Sequence, residues 1–324
     1  MSTGVEACAE AVLAGSRAAI GRAITMLEST LPADRDSGRE LLRHLAPHRG
    51  GAHRIGVSGV PGAGKSTLID ALGALLIERG HRVAVLAVDP SSERTGGSIL
   101  GDATRMSRLA AAPAAYLRGS PSSGRLGGLG RATAAAVAVV EAAGYDVVLV
   151  ETVGVGQSET AVAAIVDTFL LLGLVGAGDD LQGLKMGVLE RADLIVINKA
   201  DGDRDKPAQA AARQLAAALR LLPRDGRPVP PVLTCSALDG TGLVELVERL
   251  AARYRSGAES GDLARRRCEQ SIEAIRVQAR HAVLDELAEV PTPAGVDAAV
   301  AAGTLGVADA ADELVRAYHD RIRA

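Results

Sequence analysis

Tryptophan is absent, phenylalanine occurs once, and aromatic residues make up only 2% of the 324-residue chain. Stacking platforms for unpaired bases are therefore scarce, which argues against a single-stranded nucleic-acid surface. A charge excess of one sign is also missing. The 36 Lys and Arg stand against 39 Asp and Glu, giving a formal net charge of -3, so no global basic field points to nucleic acid. Cysteine is limited to Cys8, Cys235 and Cys268, odd in number and far apart. That pattern gives neither a disulfide framework nor a zinc site, and it fits free thiols in the reducing cytoplasm. No long uninterrupted apolar run exists: the most apolar stretch, 161–177, is broken by Asp167, a charge that lipid would penalise. The amino terminus carries Glu6 and Glu10 rather than a basic cluster, unlike a signal peptide. A cytoplasmic protein with no membrane and no nucleic-acid partner is expected.

What the chain has is aliphatic: 48% of its residues are hydrophobic, enough to bury both faces of a sheet. Ile20, Ile24, Leu27 and Leu31 are spaced for one helical face. Pro32 and the DRDSG run after it are expected to end that helix. A second short helix would carry Leu41, Leu42 and Leu45, with Gly50 and Gly51 forming a joint. From 54 to 255, short apolar runs alternate with Ala- and Leu-rich helical stretches. Strands are expected at 54–58, 82–88, 146–151, 168–175, 193–198 and 232–235. Most of these runs are continuous rather than alternating, the mark of parallel strands covered on both faces. The SGAESGD run at 256–262 is expected to be a flexible break. Beyond it Ile272, Ile275, Ala279, Val283 and Leu287 form another helical stripe, and a last helix is expected over 308–323. The expected architecture is an α/β domain (54–255), a largely parallel sheet flanked by helices, between helical segments at 1–53 and 256–324.

The run RIGVS leads into Gly59, Val60, Pro61, Gly62, Ala63, Gly64, Lys65, Ser66 and Thr67, which matches G-x-x-x-x-G-K-[ST] between a strand and a helix. Glycines let the backbone aim its N–H groups at phosphate oxygens, and the helix start adds its positive end. Lys65 can reach the β- and γ-phosphates, and the Ser66 hydroxyl can ligate Mg²⁺. Acids for that metal sit where open parallel sheets bind ligands, after the strand ends. Asp89 follows VAVLAV, Glu151 follows DVVLV, and Asp102 lies in GGSILGDATRM; each could equally be a helix cap. Glu151, Thr152, Val153 and Gly154 have the form of the D-x-x-G element that senses γ-phosphate, with Glu for Asp. Gln157, three residues after Gly154, could orient the attacking water or contact a partner.

The strand candidate DLIVIN ends in Asn198, Lys199, Ala200 and Asp201, an N-K-x-D run. A carboxylate accepts the two adjacent donors of guanine in a bidentate pair and repels the adenine acceptor. The aliphatic stem of Lys199 can cover the base plane. Ser236, Ala237 and Leu238 follow another strand candidate and can offer a backbone N–H to the guanine carbonyl. The order of these elements specifies GTP and GDP over ATP.

The runs VDPSSERTGGSILGDATRM, VETVGVGQSE, GDDLQGLKMGVLERADLIVINKAD and TCSALDGTG closely resemble the MeaB/ArgK family of P-loop GTPases, which includes the methylmalonic aciduria type A protein. The resemblance is close over 54–240 and extends beyond it only in layout. It implies a slow GTPase that acts as chaperone of an adenosylcobalamin-dependent acyl-CoA mutase, chiefly methylmalonyl-CoA mutase. It further implies Mg²⁺ ligation by Ser66, Asp89, Asp102 and Glu151, and a homodimer formed through a C-terminal helical arm. Three segments would respond to nucleotide: 89–105, 151–159 and 178–185, the last relaying nucleotide state to the mutase and ending at Lys185. Ala103 and Met186 stand where the family usually carries basic residues, at positions that bear on partner contact or hydrolysis. Three other functions compete with this one. A protein-targeting or secretion GTPase would want a Met-rich or basic extension, and the whole chain has only four Met. A nickel metallochaperone GTPase needs a cluster of soft ligands, and six scattered histidines with three isolated cysteines supply none. A kinase would ordinarily read adenine, against which the N-K-x-D run argues.

Overall fold

The computed structural model describes residues 2–29, 31–89, 106–121, 126–152, 158–174, 186–221 and 227–323. The chain opens with three helices, α1 (Ser2–Leu13), α2 (Arg17–Glu28) and α3 (Pro32–Leu45). Ser16 caps α2 by accepting from the Ala19 N–H at 3.3 Å. The helix ends at Glu28, earlier than the Leu31 expected from periodicity, because Pro32 starts a helix instead of only ending one. Proline suits the first helical position, where its missing N–H has no partner to lose. The DRDSG run therefore lies inside α3. Gly38 signalled a turn in the sequence, but a Cβ there would sit 3.0 Å from Leu27 Cδ2, so it serves the close packing of α3 on α2.

The sheet follows. Its strands are β1 (His53–Gly59), β2 (Val83–Asp89), β3 (Ala115–Pro121), β4 (Val147–Thr152), β5 (Thr168–Leu174), β6 (Leu194–Asn198) and β7 (Val232–Thr234). They lie in the order β3-β2-β4-β1-β5-β6-β7, every pairing parallel. Each expected strand appears within a residue at either end. β3 was not expected. Its Gly119 and Pro121 are poor strand residues, and an edge strand tolerates them because one side of it goes unpaired.

Alternate residues of each strand enter two separate cores, which is why the apolar runs are continuous. Ala84, Leu86, Val148, Val150, Phe169, Leu171, Ile195 and Ile197 pack with α1, α2 and α3 on one face, where α6 (Leu126–Ala142) and α7 (Ser158–Ala163) also lie. Val83, Val85, Val147, Leu149, Leu170, Leu172, Leu194 and Val196 face the other core, with α4 (Lys65–Glu78), α5 (Ser107–Ala111) and α10 (Leu243–Ser260). α8 (Met186–Leu189) and α9 (Asp205–Leu219) join the first core through Val188, Leu189, Ala208 and Leu215. Phe169, the one phenylalanine, is fully buried.

The SGAESGD run is not a flexible break. Helix α10 continues to Ser260, and Gly261 alone, at φ 79°, separates it from α11 (Asp262–Ala288). Packing divides the chain into 1–270 and 271–324. The second unit holds the rest of α11, α12 (Val296–Ala301) and α13 (Val307–Arg323); within it the Tyr318 hydroxyl donates to Glu286 Oε2 at 3.1 Å. Among the described residues no helix is long and apolar enough to cross a membrane.

Candidate functional site

The phosphate loop hangs from the carboxyl end of β1, in the middle of the sheet. Gly59 has φ 154°, and a Cβ there would meet the Leu172 carbonyl oxygen at 2.4 Å, so no side chain fits. Gly64, at φ 84°, ends the loop, where a Cβ would lie 2.7 Å from Asn198 Nδ2. No side chain caps α4, so its first N–H groups and the dipole's positive end face the loop. Lys65 Nζ folds back into the loop and donates to the carbonyls of Gly59 at 2.9 Å and Val60 at 3.4 Å. Burial lowers its pKa, while Glu151 and Glu159 pull it upward. Ser66 Oγ donates to Glu151 Oε1 at 2.7 Å. Pro61, Gly62 and Thr67 line the exposed rim of the loop.

Glu151 is buried near the end of β4. Its neighbour Thr152 points to the opposite face, and the Thr152 hydroxyl donates to Ser58 Oγ at 2.9 Å. Asp89 ends β2 with its backbone in register with Pro121, and its side chain lies outside the described residues. Asp102, Gln157 and Lys185 also lie outside them.

The second half of the site grows from β6 and β7. Asn198, fully buried, joins three loops: its Nδ2 donates to the Ala63 carbonyl at 2.8 Å, and its Oδ1 accepts from the Ala237 N–H at 3.3 Å. It thereby fixes the phosphate loop against the Ser-Ala-Leu turn. Lys199 has φ 61°, the one left-handed non-glycine among the described residues, a conformation found where function overrides local preference. Asp201 Oδ2 accepts from Ser236 Oγ at 3.1 Å, and its Oδ1 pairs with Arg204. The Ala200 N–H donates to the Cys235 carbonyl at 3.0 Å, tying the two loops together. Burial, with help from Asp239, pushes the Cys235 thiol up to about 12, so it stays protonated and inert. The Thr241 backbone N–H and the Ser236 hydroxyl hold the Asp239 carboxyl below its usual range. The Ala237 N–H is taken by Asn198, which leaves the N–H of exposed Leu238 as the donor this turn still offers.

The structure thus brings Gly59, Ala63, Gly64, Lys65, Ser66, Glu151, Asn198, Lys199, Asp201, Ser236, Ala237 and Leu238 to one end of one sheet. Sequence reasoning missed the Ser58–Thr152 bond, the Arg204 pairing and buried Glu159 beside Lys65. None carries a motif; the Arg204 pairing with Asp201 is local, three residues apart, whereas the other two depend on which elements are neighbours.

This geometry can cradle phosphate at one end and read a purine edge at the other. A sequence profile described as methylmalonyl-CoA mutase-associated GTPase MeaB matches residues 20–292. The chain belongs to the MeaB family. It is a GTPase on a P-loop α/β fold. Relatives of this MeaB-family chain include a probable GTPase of Mycobacterium tuberculosis, 54% identical over 96% of this chain and 94% of its own. The mouse methylmalonic aciduria type A homolog, mitochondrial, is 42% identical over 95% of this chain and 78% of its own. Among solved structures, one titled LAO/AO transport system kinase matches with TM-score 0.75 at 36% identity, covering 100% of this chain and 99% of that one.

Proposed function

We propose that this chain is a GTP-driven chaperone of an adenosylcobalamin-dependent acyl-CoA mutase, with methylmalonyl-CoA mutase as the partner, gating cofactor loading and protecting the mutase. The observation that carries the proposal is the family itself, whose description names association with that mutase, joined to a site in which phosphate and purine readers are held by one buried residue, Asn198.

The roles follow from chemistry. Lys65 leaves its carbonyl partners for the β- and γ-phosphates of GTP. Asp201, held by the Ser236 hydroxyl, accepts the guanine donor pair. Lys199 covers the base, and the Ser236–Leu238 turn donates to its carbonyl. The touching Ser66 hydroxyl and Glu151 carboxylate are hard oxygens of the kind Mg²⁺ takes, so the residues fit that ion, with Asp89 and Asp102 as its further holders. When bound, Mg²⁺ neutralises charge building on the β- and γ-oxygens. Glu151 stands on the γ-phosphate side and bears on hydrolysis more than on GDP binding. Gln157 is the candidate for orienting water, and hydrolysis is slow until the mutase engages.

A homodimer completes the proposal. Ile272, Ile275, Ala279 and Val283 of α11 are exposed and share one side of the helix with half-buried Leu287, an apolar stripe that a second copy would cover. This assigns 256–324 to dimerisation, 54–255 to the GTPase domain and 1–53 to a helical lead-in. The cytoplasm is the proposed location, in keeping with free thiols at Cys8, Cys235 and Cys268.

The test is GTP turnover with and without methylmalonyl-CoA mutase, for the wild type and Lys185→Ala. The mutase should accelerate the wild type, and Lys185→Ala should lose much of that acceleration while keeping GDP affinity. No acceleration of the wild type would overturn the chaperone assignment. An unchanged response of Lys185→Ala would remove the relay from 178–185. Light scattering should give a dimer for the wild type and a monomer for Ile275→Glu.

A further inference from the structure

The backbone ladder between β1 and β4 runs from His53 opposite Val147 to Val57 opposite Glu151 and stops there. Beyond that point Ser58 and Gly59 stay in register with Leu171 and Leu172 of β5, whereas Thr152 stays in register with Val88 of β2. The sheet therefore forks at the nucleotide site. One prong becomes the phosphate loop; the other begins at Thr152, directly after Glu151, the last rung of the ladder. The β1 prong is wedged, since Gly59 lies so close to the Leu172 carbonyl that no Cβ fits. The width of the fork is then set by the β4 prong.

The Thr152 hydroxyl spans the fork, donating to Ser58 Oγ at 2.9 Å. Both residues are fully buried, on a sheet face where their strand neighbours Val88, Val150 and Leu171 are apolar. Apolar side chains would fill that space without the desolvation cost of two hydroxyls. What the pair adds is direction and a fixed oxygen–oxygen distance. Strand alternation places Glu151 on the opposite face, where Ser66 reaches it at 2.7 Å. The hydroxyl pair and the carboxylate contact thus sit back to back on the same pair of strand ends.

We propose that the Ser58–Thr152 bond is a positioning latch for GTP hydrolysis, holding the fork at the width that keeps Glu151 aligned with Ser66 and Lys65 as the γ-phosphate reacts. This rests on the assignment of Glu151 to the hydrolytic site. Neither hydroxyl touches the nucleotide; both act through the backbone beside Glu151. Small misplacements of reacting groups cost rate steeply, so the latch governs turnover more than affinity.

The test compares Ser58→Ala, Thr152→Val, the double variant, Thr152→Ser and Glu151→Ala with the wild type, in the full-length protein. Single-turnover GTP hydrolysis, affinity for a fluorescent GDP analogue and thermal midpoint are measured for each. Ser58→Ala and Thr152→Val should each slow hydrolysis roughly 10-fold while GDP affinity stays within about 2-fold. The double variant should be no slower than the slower single one, since both remove the same bond. Thr152→Ser, which keeps the hydroxyl, should hydrolyse like the wild type. Wild-type rates for Ser58→Ala and Thr152→Val would overturn the latch, as would parallel losses of rate, affinity and thermal midpoint. If Glu151→Ala hydrolyses normally, the underlying site assignment fails. If Glu151→Ala is slow and the two hydroxyl variants are not, only the latch fails.

Discussion

The two ends of the sheet treat charge in opposite ways. At the amino ends of the strands, ion pairs close on one another inside the chain. Arg267 grips Asp167 at 2.6 Å, Arg54 grips Glu141 at 2.8 Å, and Arg253 and Arg266 share Asp193. Asp167 also accepts from the Arg54 N–H, and Arg267 donates to the carbonyls of Gly50 and Ala52. His53 stacks on Tyr254 with ring centroids 4.5 Å apart and shares a 2.9 Å hydrogen bond with Thr168. This floor ties the entry to β1, the entry to β5 and the start of α11 into one network. At the carboxyl ends the polar groups are held more lightly. Lys65 rests on backbone carbonyls, Ser66 on Glu151, Asp201 on Ser236 and Arg204. Each of these partners can be exchanged for phosphate, metal or base oxygens and nitrogens. The floor spends its charges on the fold, and the rim keeps its charges available to a ligand.

Asp167→Ala tests the floor most severely. It leaves the Arg267 guanidinium without its carboxylate, with Asp167 only 2% exposed in the folded chain. Breaking such a buried pair should cost about 3–5 kcal/mol by urea denaturation, while the preference for GDP over ADP survives in the folded fraction. A changed base preference would show that floor and rim are not separate.

Acid is the next largest lever. Burial pushes His53 down to about 4 from its ordinary 6.5, against the pull of Asp167 and with help from Arg267 and Arg253. The folded protein holds this imidazole neutral while the unfolded chain protonates it. The corresponding stability is complete above pH 6.5 and is lost as pH falls toward 4, by about 3 kcal/mol at ~1.4 kcal/mol per pH unit. Comparing stability against pH for the wild type and His53→Gln isolates the effect. The variant should show a shallower fall across that window.

At the rim, Glu151→Ala should slow hydrolysis on the order of 10²-fold, the size of losing one preorganised group in the transition state. GDP affinity should change far less, which stopped-flow binding and turnover together resolve. Asp201→Asn should weaken guanine binding by roughly 10- to 100-fold, as expected for charge-assisted hydrogen bonds, and favour xanthine, whose carbonyl replaces the amine. Competition among the nucleotides reads this directly. Arg204→Ala should matter least. Its side chain is 52% exposed, and exposed ion pairs contribute at most about 1 kcal/mol, so melting and GDP affinity should barely move.

The rim was far more legible in the sequence than the floor. Residues 59–67 contain within nine positions everything that shapes a phosphate loop, and Asn198–Asp201 are just as local. The floor pairs Arg267 with Asp167 across 100 residues and Arg54 with Glu141 across 87. No local pattern announces such partners. β3 was missed for a related reason: Gly119 and Pro121 are poor strand residues, and only pairing with β2 makes them one. Gly38 and the SGAESGD run were misread because glycine marks turns on average, whereas here it permits a helix contact or sits within a helix.

The sequence by itself determined the nucleotide class, the family resemblance, the strands buried on both faces and the residues proposed to meet phosphate and guanine. Those features are written in backbone freedom, side-chain type and short-range periodicity. The tertiary structure decided which strands stand side by side. It placed β4 next to β1, so that Thr152 meets Ser58 and Glu151 meets Ser66, and it set Asn198 between the phosphate loop and the base loop. Strand order is fixed by how crossover helices bury their apolar faces against the whole sheet, a balance of long-range packing that no single segment of the chain contains.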